Sequence, residues 1–219
     1  DVITNLEKFS SISRIRISSI EPNLLTNNII RLIKNSDSFL PHFHIPLQSG
    51  SNKILKLMKR KYSLNMYSTK VKMIKEKMPH ACIGADVIVG FPGETDADFM
   101  QTCQFIEKLN INYLHIFSYS DRSNTSASKM KNKISKSQKT LRSQYLRTIS
   151  DKKRINFYDK HLFSIRKVLF ESINDKKCLV GFSDNYIRVI AKGDSSMLNK
   201  IFNVKLLEIQ GDKVFGEIY

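Results

Sequence analysis

A chain of 219 residues, 41% hydrophobic and 26% charged, is long and apolar enough to bury a core, as one large domain or one large domain plus a small one. Lys and Arg outnumber Asp and Glu by 36 to 20, and the formal charge of +16 favours an anionic partner: nucleic acid, acidic lipid or a phosphorylated ligand. A disulfide scaffold is excluded, because Cys82, Cys103 and Cys178 stand alone without CxxC or CxxxC spacing, and no apolar run approaches the roughly 18 residues of a membrane span.

Without a signal peptide, the expected location is cytoplasmic, with no membrane partner. The Asn, Ile and Lys codons of an AT-rich genome would also enrich lysine, so charge alone does not select the partner. The chain opens at Asp1 and enters a strand almost at once, which reads as a segment of a longer polypeptide.

In chain order, residues 15–21 (IRISSIE) read as a strand ended by Pro22. Thr26 is placed to cap a helix through about Ser36, with Ile29, Ile30, Leu32 and Ile33 on its apolar side. A strand over 43–47 leads to a helical stretch near Asn52–Met58. A longer helix follows from Leu64 to Met78, where Leu64, Tyr67, Val71, Ile74 and Met78 recur at three and four before Pro79. The third strand, IGADVIVG, runs into FPGET. Thr95 and Asp98 then form a capping box for a helix facing inward through Phe99, Cys103, Ile106 and Leu109. A fourth strand covers 113–119. Strands alternating with helices predict a parallel sheet, and the apolar run DVIVG predicts burial on both of its faces.

After residue 120 the chain turns polar, and Ser135 with Gln138 marks the start of a helix to about 160, carrying eight Lys or Arg against two Asp. From Ser164 the period becomes two. SIRKVLFESI, KCLVGFS, NYIRVIAK, IFNVKLLEIQ and KVFGEIY read as five short strands of a small antiparallel, OB-like barrel. The expected division is therefore an α/β part over 1–135, a basic linking helix over 136–162 and a β-barrel over 163–219.

Ligands of parallel α/β sheets bind at the C-terminal strand ends. Those ends offer Ser18, Ser19 and Glu21, then Gln48, then Asp86, Gly90 and Glu94, and finally Ser118, Tyr119, Ser120 and Arg122. Most are neutral donors and acceptors. Gln48 can donate or accept toward a polar ligand, and Arg60 can pair with a carboxylate or phosphate or belong to a solvated basic face. Gly90 and Gly93 read either as turn glycines or as a close backbone approach to a planar ligand. His42 and His44 share a strand face without a third partner, so they do not read as a metal site. The residues alone predict a bed for a polar, zwitterionic molecule, without naming a reaction.

HIPLQSGSNKILKLMKRKY followed by DVIVGFPGET, with FSYSDRSNTSA and the terminal barrel, resembles the C-terminal part of radical S-adenosylmethionine methylthiotransferases across essentially the whole chain. The resemblance implies the last four of six strands of a partial TIM-like barrel, with residues 43–47 as the fourth and DVIVGFPGE in the fifth. It implies S-adenosylmethionine as cofactor, near Ser18, Ser19, Glu21, Gln48, Arg60, Asp86, Gly90 and Glu94. It also implies two 4Fe–4S clusters in the full-length parent. Their ligands, a CxxxCxxC loop and three further cysteines, lie upstream, so no metal is expected on this chain and the fragment alone is expected to be inactive. The expected partners are a tRNA anticodon stem-loop, an electron donor for the cluster, and the missing N-terminal domain and first barrel strands. The terminal module corresponds to a TRAM domain. Candidates for RNA contact are Arg122, Arg166, Lys167, Lys177, Tyr186, Arg188 and Lys192.

RISSIEP resembles the branch that acts on threonylcarbamoyladenosine in tRNA, giving its 2-methylthio form at position 37. HIPLQSG is unlike the branch that modifies a ribosomal protein, where a histidine commonly follows the glutamine. The family often has glycine where Asn124 stands, a position asparagine also tolerates in the left-handed region. The alternatives are an inert RNA-binding or assembly fragment, or 2-methylthiolation of isopentenyladenosine. A TIM-barrel hydrolase has only Glu21, Asp86 and Glu94 as strand-end carboxylates and fits poorly.

Overall fold

The structure, a computed structural model, describes residues 5–6 and 12–219. Its first part alternates strand and helix: β1 (Ile15–Ile17), α1 (Asn27–Asn35), β2 (Phe39–His44), α2 (Asn52–Leu57), α3 (Leu64–Lys77), β3 (Cys82–Val89), α4 (Asp96–Lys108) and β4 (Tyr113–Ser118). The four strands are parallel in the order β1-β2-β3-β4. Each helix starts where a hydroxyl accepts one of the otherwise unsatisfied first-turn N–H groups, from Thr26, Ser51, Ser63 and Thr95. Each such cap contributes about 1 kcal/mol. At α4 the Asp98 carboxylate also accepts from the Thr95 N–H, completing the expected box.

Strand alternation sorts the sheet into two unlike faces. Phe43, Ile83, Ala85, Val87 and Val89 are fully buried, packed with Ile30 and Ile33 of α1, Tyr67, Val71 and Ile74 of α3, and Phe99 and Ile106 of α4. On the other face Asp86 and Ile88 are half-buried, while His115 and Phe117 are exposed. The expectation of a sheet buried on both faces is thus corrected: helices cover one side only.

Two strand bounds also differ. The first strand stops at Ile17 rather than 21. The second begins at Phe39 rather than 43 and contains Pro41, which has no N–H for the ladder; the β1–β2 register shifts across it. Beyond His44 the chain still follows β3, through Ile45 N–H to Gly84 O at 2.9 Å and Leu47 N–H to Asp86 O at 3.1 Å.

Helix α5 (Lys136–Asp159), capped by Ser135, joins the two parts. Leu146 and Ile149 enter the sheet's core, and Phe157 and Tyr158 enter the second one. Midway, the Ser150 hydroxyl accepts from the Leu114 N–H at 2.8 Å and faces the Leu114 carbonyl at 3.4 Å, on the outer edge of β4. No helix among the described residues is long and apolar enough to cross a membrane.

The remaining strands, β5 (Ile165–Ile173), β6 (Cys178–Ser183), β7 (Arg188–Lys192), β8 (Ile201–Gln210) and β9 (Lys213–Ile218), close a barrel in the order β5-β6-β7-β9-β8. Neighbours are antiparallel except β7 and β9, which run parallel. The third barrel strand begins at Arg188, not Asn185. The Ser183 hydroxyl donates to Asn185 Oδ1 at 2.7 Å and accepts from the Ile187 N–H at 2.8 Å, folding 183–187 into a turn with Tyr186 at φ 69°. This turn meets the N-terminal ends of the sheet strands. Arg14 donates to Lys167 O at 2.8 Å, Arg16 to Ser183 O at 2.7 Å, and Asn185 to His80 O at 3.1 Å.

Candidate active site on the helix-free face

The helix-free face of the sheet carries three tiers of side chains. In the lowest, Tyr186 stacks on His42 with ring centroids 4.0 Å apart, and the Arg16 guanidinium lies 4.9 Å from the Tyr186 centroid. Burial, followed by the Arg16 charge, pushes the His42 imidazole down to about 3, so it is neutral at physiological pH. His42 Nε2 meets the Tyr113 hydroxyl at 2.9 Å. Tyr113 lies flat because of Gly84: a Cβ there would run into its ring and hydroxyl.

The middle tier unites three strands. His44 Nε2 is 2.9 Å from Asp86 Oδ1, His115 Nδ1 is 3.5 Å from the same oxygen, and the Tyr113 hydroxyl reaches His44 Nδ1 at 3.3 Å. Burial works to raise Asp86, but the His44 hydrogen bond and charge outweigh it and hold the carboxyl below its ordinary range. The pair His42 and His44 read as lacking a third partner, yet His44 has two.

The upper tier is a cavity of about 480 Å³ at the C-terminal strand ends, lined by Gln48, Asp86, Ile88, Phe117, Tyr119 and Arg122 among others. Gln48 is held at φ 65°, with its N–H donating to Asp86 O at 2.7 Å and its carbonyl accepting from the Ile88 N–H at 2.9 Å. Its side-chain Oε1 is buried and has no partner among the described residues. A buried amide oxygen without a donor costs about 1–3 kcal/mol, so an orphan beside a cavity marks where a ligand's N–H or O–H belongs.

Of the residues expected near the cofactor, Gln48 and Asp86 line this cavity, joined by Arg122 from the RNA candidates. Ser18, Ser19, Glu21, Arg60, Gly90 and Glu94 lie off its lining. Arg60 Nη1 instead donates to Glu21 at 2.9 Å. Gly90 (φ 73°) and Gly93 (φ 87°) take left-handed turn conformations, and Gly90 packs against the Lys139 side chain. Glu94 is buried, accepts from the Gly90 N–H at 2.7 Å and pairs with Arg142 of α5. Burial raises its pKa, only partly offset by these partners. Asn124 is left-handed (φ 66°), so asparagine serves the glycine position.

The RNA candidates are dispersed. Arg166 forks onto Asp184 at 2.9 and 2.8 Å, and Arg188 pairs with Asp212 at 2.7 Å. Tyr186 is engaged in the seam, while Arg122, Lys167, Lys177 and Lys192 are exposed. Sequence reasoning missed Tyr113, His115 and Arg142. The first two alternate with Phe117 along YLHIFS, a period-two signal that was available.

A 4Fe–4S cluster needs converging thiolates. Among the described residues, the only group of three or more His, Cys, Asp or Glu side chains close enough to share an ion is His44, Asp86 and His115. Cys82 and Cys103 belong to different cores, and burial pushes each thiol up to about 12. The cysteines do not fit a cluster. The cavity and its orphaned amide oxygen do fit a polar cofactor such as S-adenosylmethionine.

Residues 2–106 match the radical SAM superfamily model. The chain is 36% identical over 205 residues to threonylcarbamoyladenosine tRNA methylthiotransferase MtaB of Bacillus subtilis (strain 168), covering 92% of this chain and 46% of that protein. The Aquifex aeolicus (strain VF5) protein of that name is 40% identical over 192 residues, covering 88% of this chain and 46% of the relative. A tRNA-2-methylthio-N(6)-dimethylallyladenosine synthase of Alkaliphilus oremlandii (strain OhILAs) is 34% identical over 220 residues, covering 100% and 47%. The chain thus spans about half the length of the curated relatives it matches. Among solved structures, coproporphyrinogen III oxidase (HemN) from Escherichia coli, described as a radical SAM enzyme, superposes with a TM-score of 0.54 at 12% identity. The match covers 88% of this chain and 46% of that one, and it speaks to fold alone. Residues 2–106 thus resemble the radical SAM superfamily, and the chain is similar over most of its own length to proteins named as tRNA methylthiotransferases.

Proposed function

We propose that this chain is the part of a tRNA methylthiotransferase that seats S-adenosylmethionine and the target nucleoside, the product being 2-methylthio-N6-threonylcarbamoyladenosine at position 37. The observation that carries the reading is the unpartnered Gln48 Oε1 at the strand-end cavity. There Gln48 would accept from an amine or hydroxyl of the cofactor, and Asp86 would offer a negative charge to a cationic group. Bound in this cavity of a full-length protein, S-adenosylmethionine would supply radical chemistry for activating an inert C–H bond. The cluster, its electron donor and the N-terminal domain belong to the remainder of a full-length protein. This chain's residues position groups and exclude water: Ile88 and Phe117 give the cavity apolar wall, and Arg122 sets a positive charge at its edge.

The barrel and α5 are assigned to tRNA, through exposed Lys167, Lys177 and Lys192. Lysines of this kind hold phosphates and fix register, while single-stranded loop bases carry identity. Identities to the two relative types are close, at 36% and 40% against 34% and 35%, so the proposed branch rests on the resemblance of RISSIEP.

Nucleoside mass spectrometry of tRNA after deletion of the encoding gene tests the reading. The 2-methylthio group should disappear while N6-threonylcarbamoyladenosine persists, and complementation with Gln48→Ala should restore less than about a tenth of it. Loss of the dimethylallyl nucleoside's methylthio group instead would move the protein to the other branch. No change in either nucleoside would end the proposal.

A further inference from the structure

The middle tier holds a donor set of which the cofactor reading uses Asp86 alone, leaving His44 and His115 without a role. We propose that His44, Asp86 and His115 form a site for one divalent first-row transition ion, of the Zn²⁺ class, with an open coordination position toward the cavity. Geometry carries this. Asp86 and His115 are in-register partners on β3 and β4, and His44 pairs with Gly84, two residues before Asp86 on the same face. Three adjacent strands therefore present one ligand each. Their donor atoms all lie within 4.8 Å of one another, with 2.9 Å and 3.5 Å separating the carboxylate oxygen from the two imidazole nitrogens. Ligands bound at about 2.0–2.2 Å around a tetrahedral ion stand roughly 3.3–3.6 Å apart, so seating an ion needs shifts of a few tenths of an ångström at the carboxylate and a turn of the His115 ring.

A second feature resembles the support that metal-binding imidazoles receive. The Tyr113 hydroxyl contacts His44 Nδ1 at 3.3 Å and leaves Nε2 directed at Asp86. A partner of this kind on the distal nitrogen fixes tautomer and ring orientation. Gly84 leaves room for Tyr113 to lie there. Two imidazoles and one carboxylate suit borderline ions over Ca²⁺ or Mg²⁺, which prefer all-oxygen shells. His115, with 53% of its side chain exposed, and Asp86, which also lines the cavity, leave the remaining position open to solvent or a cavity ligand.

Co²⁺ titration of the purified, metal-free 219-residue chain, followed by visible d–d absorption and Zn²⁺ displacement, tests the site. One equivalent should bind, raise the melting temperature, and be weakened at least tenfold by His115→Ala and by Asp86→Asn. Because His115 is half exposed, its alanine variant should melt like the parent without metal. X-ray absorption of the Zn²⁺-loaded parent should show an all-N/O shell with two imidazoles, a readout independent of variant folding. Absence of both the Co²⁺ bands and a melting shift would assign the trio to hydrogen bonding alone. A sulfur shell, or affinity unchanged in both variants, would place the ion elsewhere; either result overturns the proposal.

Discussion

Inside the closed barrel, Val168, Phe170, Leu179, Val189, Val204, Leu206 and Val214 are all fully buried, whereas the helix-free face of the sheet displays His115, Phe117 and half-buried Asp86. Both surfaces follow the same alternation of residues along strands, yet one is filled with methyl groups and the other with imidazole, carboxylate and amide. The barrel uses its interior for stability, leaving only its outside for partners. The sheet obtains its core from the helix side, which leaves the opposite face available for ligands. A module with two usable faces can keep one for chemistry.

The sharpest way to break this contrast is Phe170→Ala, which empties the middle of the barrel and should cost about 3–5 kcal/mol in urea unfolding. A loss below about 1 kcal/mol would mean that the barrel interior is not what holds that module. A smaller effect is expected from Asp98→Asn on the helix side of the sheet, about 1–2 kcal/mol near neutral pH. Burial works to raise the Asp98 carboxyl, but hydrogen bonds from Lys53, Thr95 and Ser51 hold it far below the ordinary range. Its folded pKa lies below the unfolded value of about 3.9. Its contribution is therefore complete above that pH and fades as acid titrates the folded carboxylate. The variant should show a flatter acid limb than the parent, and identical limbs would remove Asp98 as the cause. The smallest change is Tyr186→Ala at the seam. Losing its stack on His42 should cost about 0.5–1.5 kcal/mol beyond the area exposed. By exposing the ring, it should also move the His42 titration upward from about 3, which NMR can follow. An unmoved His42 would show that the two modules do not meet through this pair.

Helix starts were legible because a cap is local: Thr26, Thr95 with Asp98, and Ser135 all cap the helices their neighbours predicted. The β3 strand was legible from IGADVIVG, within one residue at each end. What escaped depends on register. His115 joins Asp86 only because β3 and β4 pair in one particular alignment, and nothing in either strand alone fixes it. Glu94, read as a strand-end ligand group, is drawn away by Arg142, which lies far along the chain on α5. Tyr186, read within a strand, falls in a turn because the Ser183 hydroxyl offers the backbone a competing hydrogen bond. Of the strand-end residues named for the cofactor, Gln48 and Asp86 line one cavity while Ser18, Ser19, Glu21, Gly90 and Glu94 do not; Glu21 and Glu94 are engaged by Arg60 and Arg142, partners distant in the chain.

Ser150 has a consequence for assembly. A bare edge strand invites another chain to zip onto its unpaired amides, the usual route to aggregation. On β4, the hydroxyl of Ser150 occupies the Leu114 groups that an intruding strand would need. At Leu114, then, that border is blocked to a pairing strand by a side chain of the linking helix.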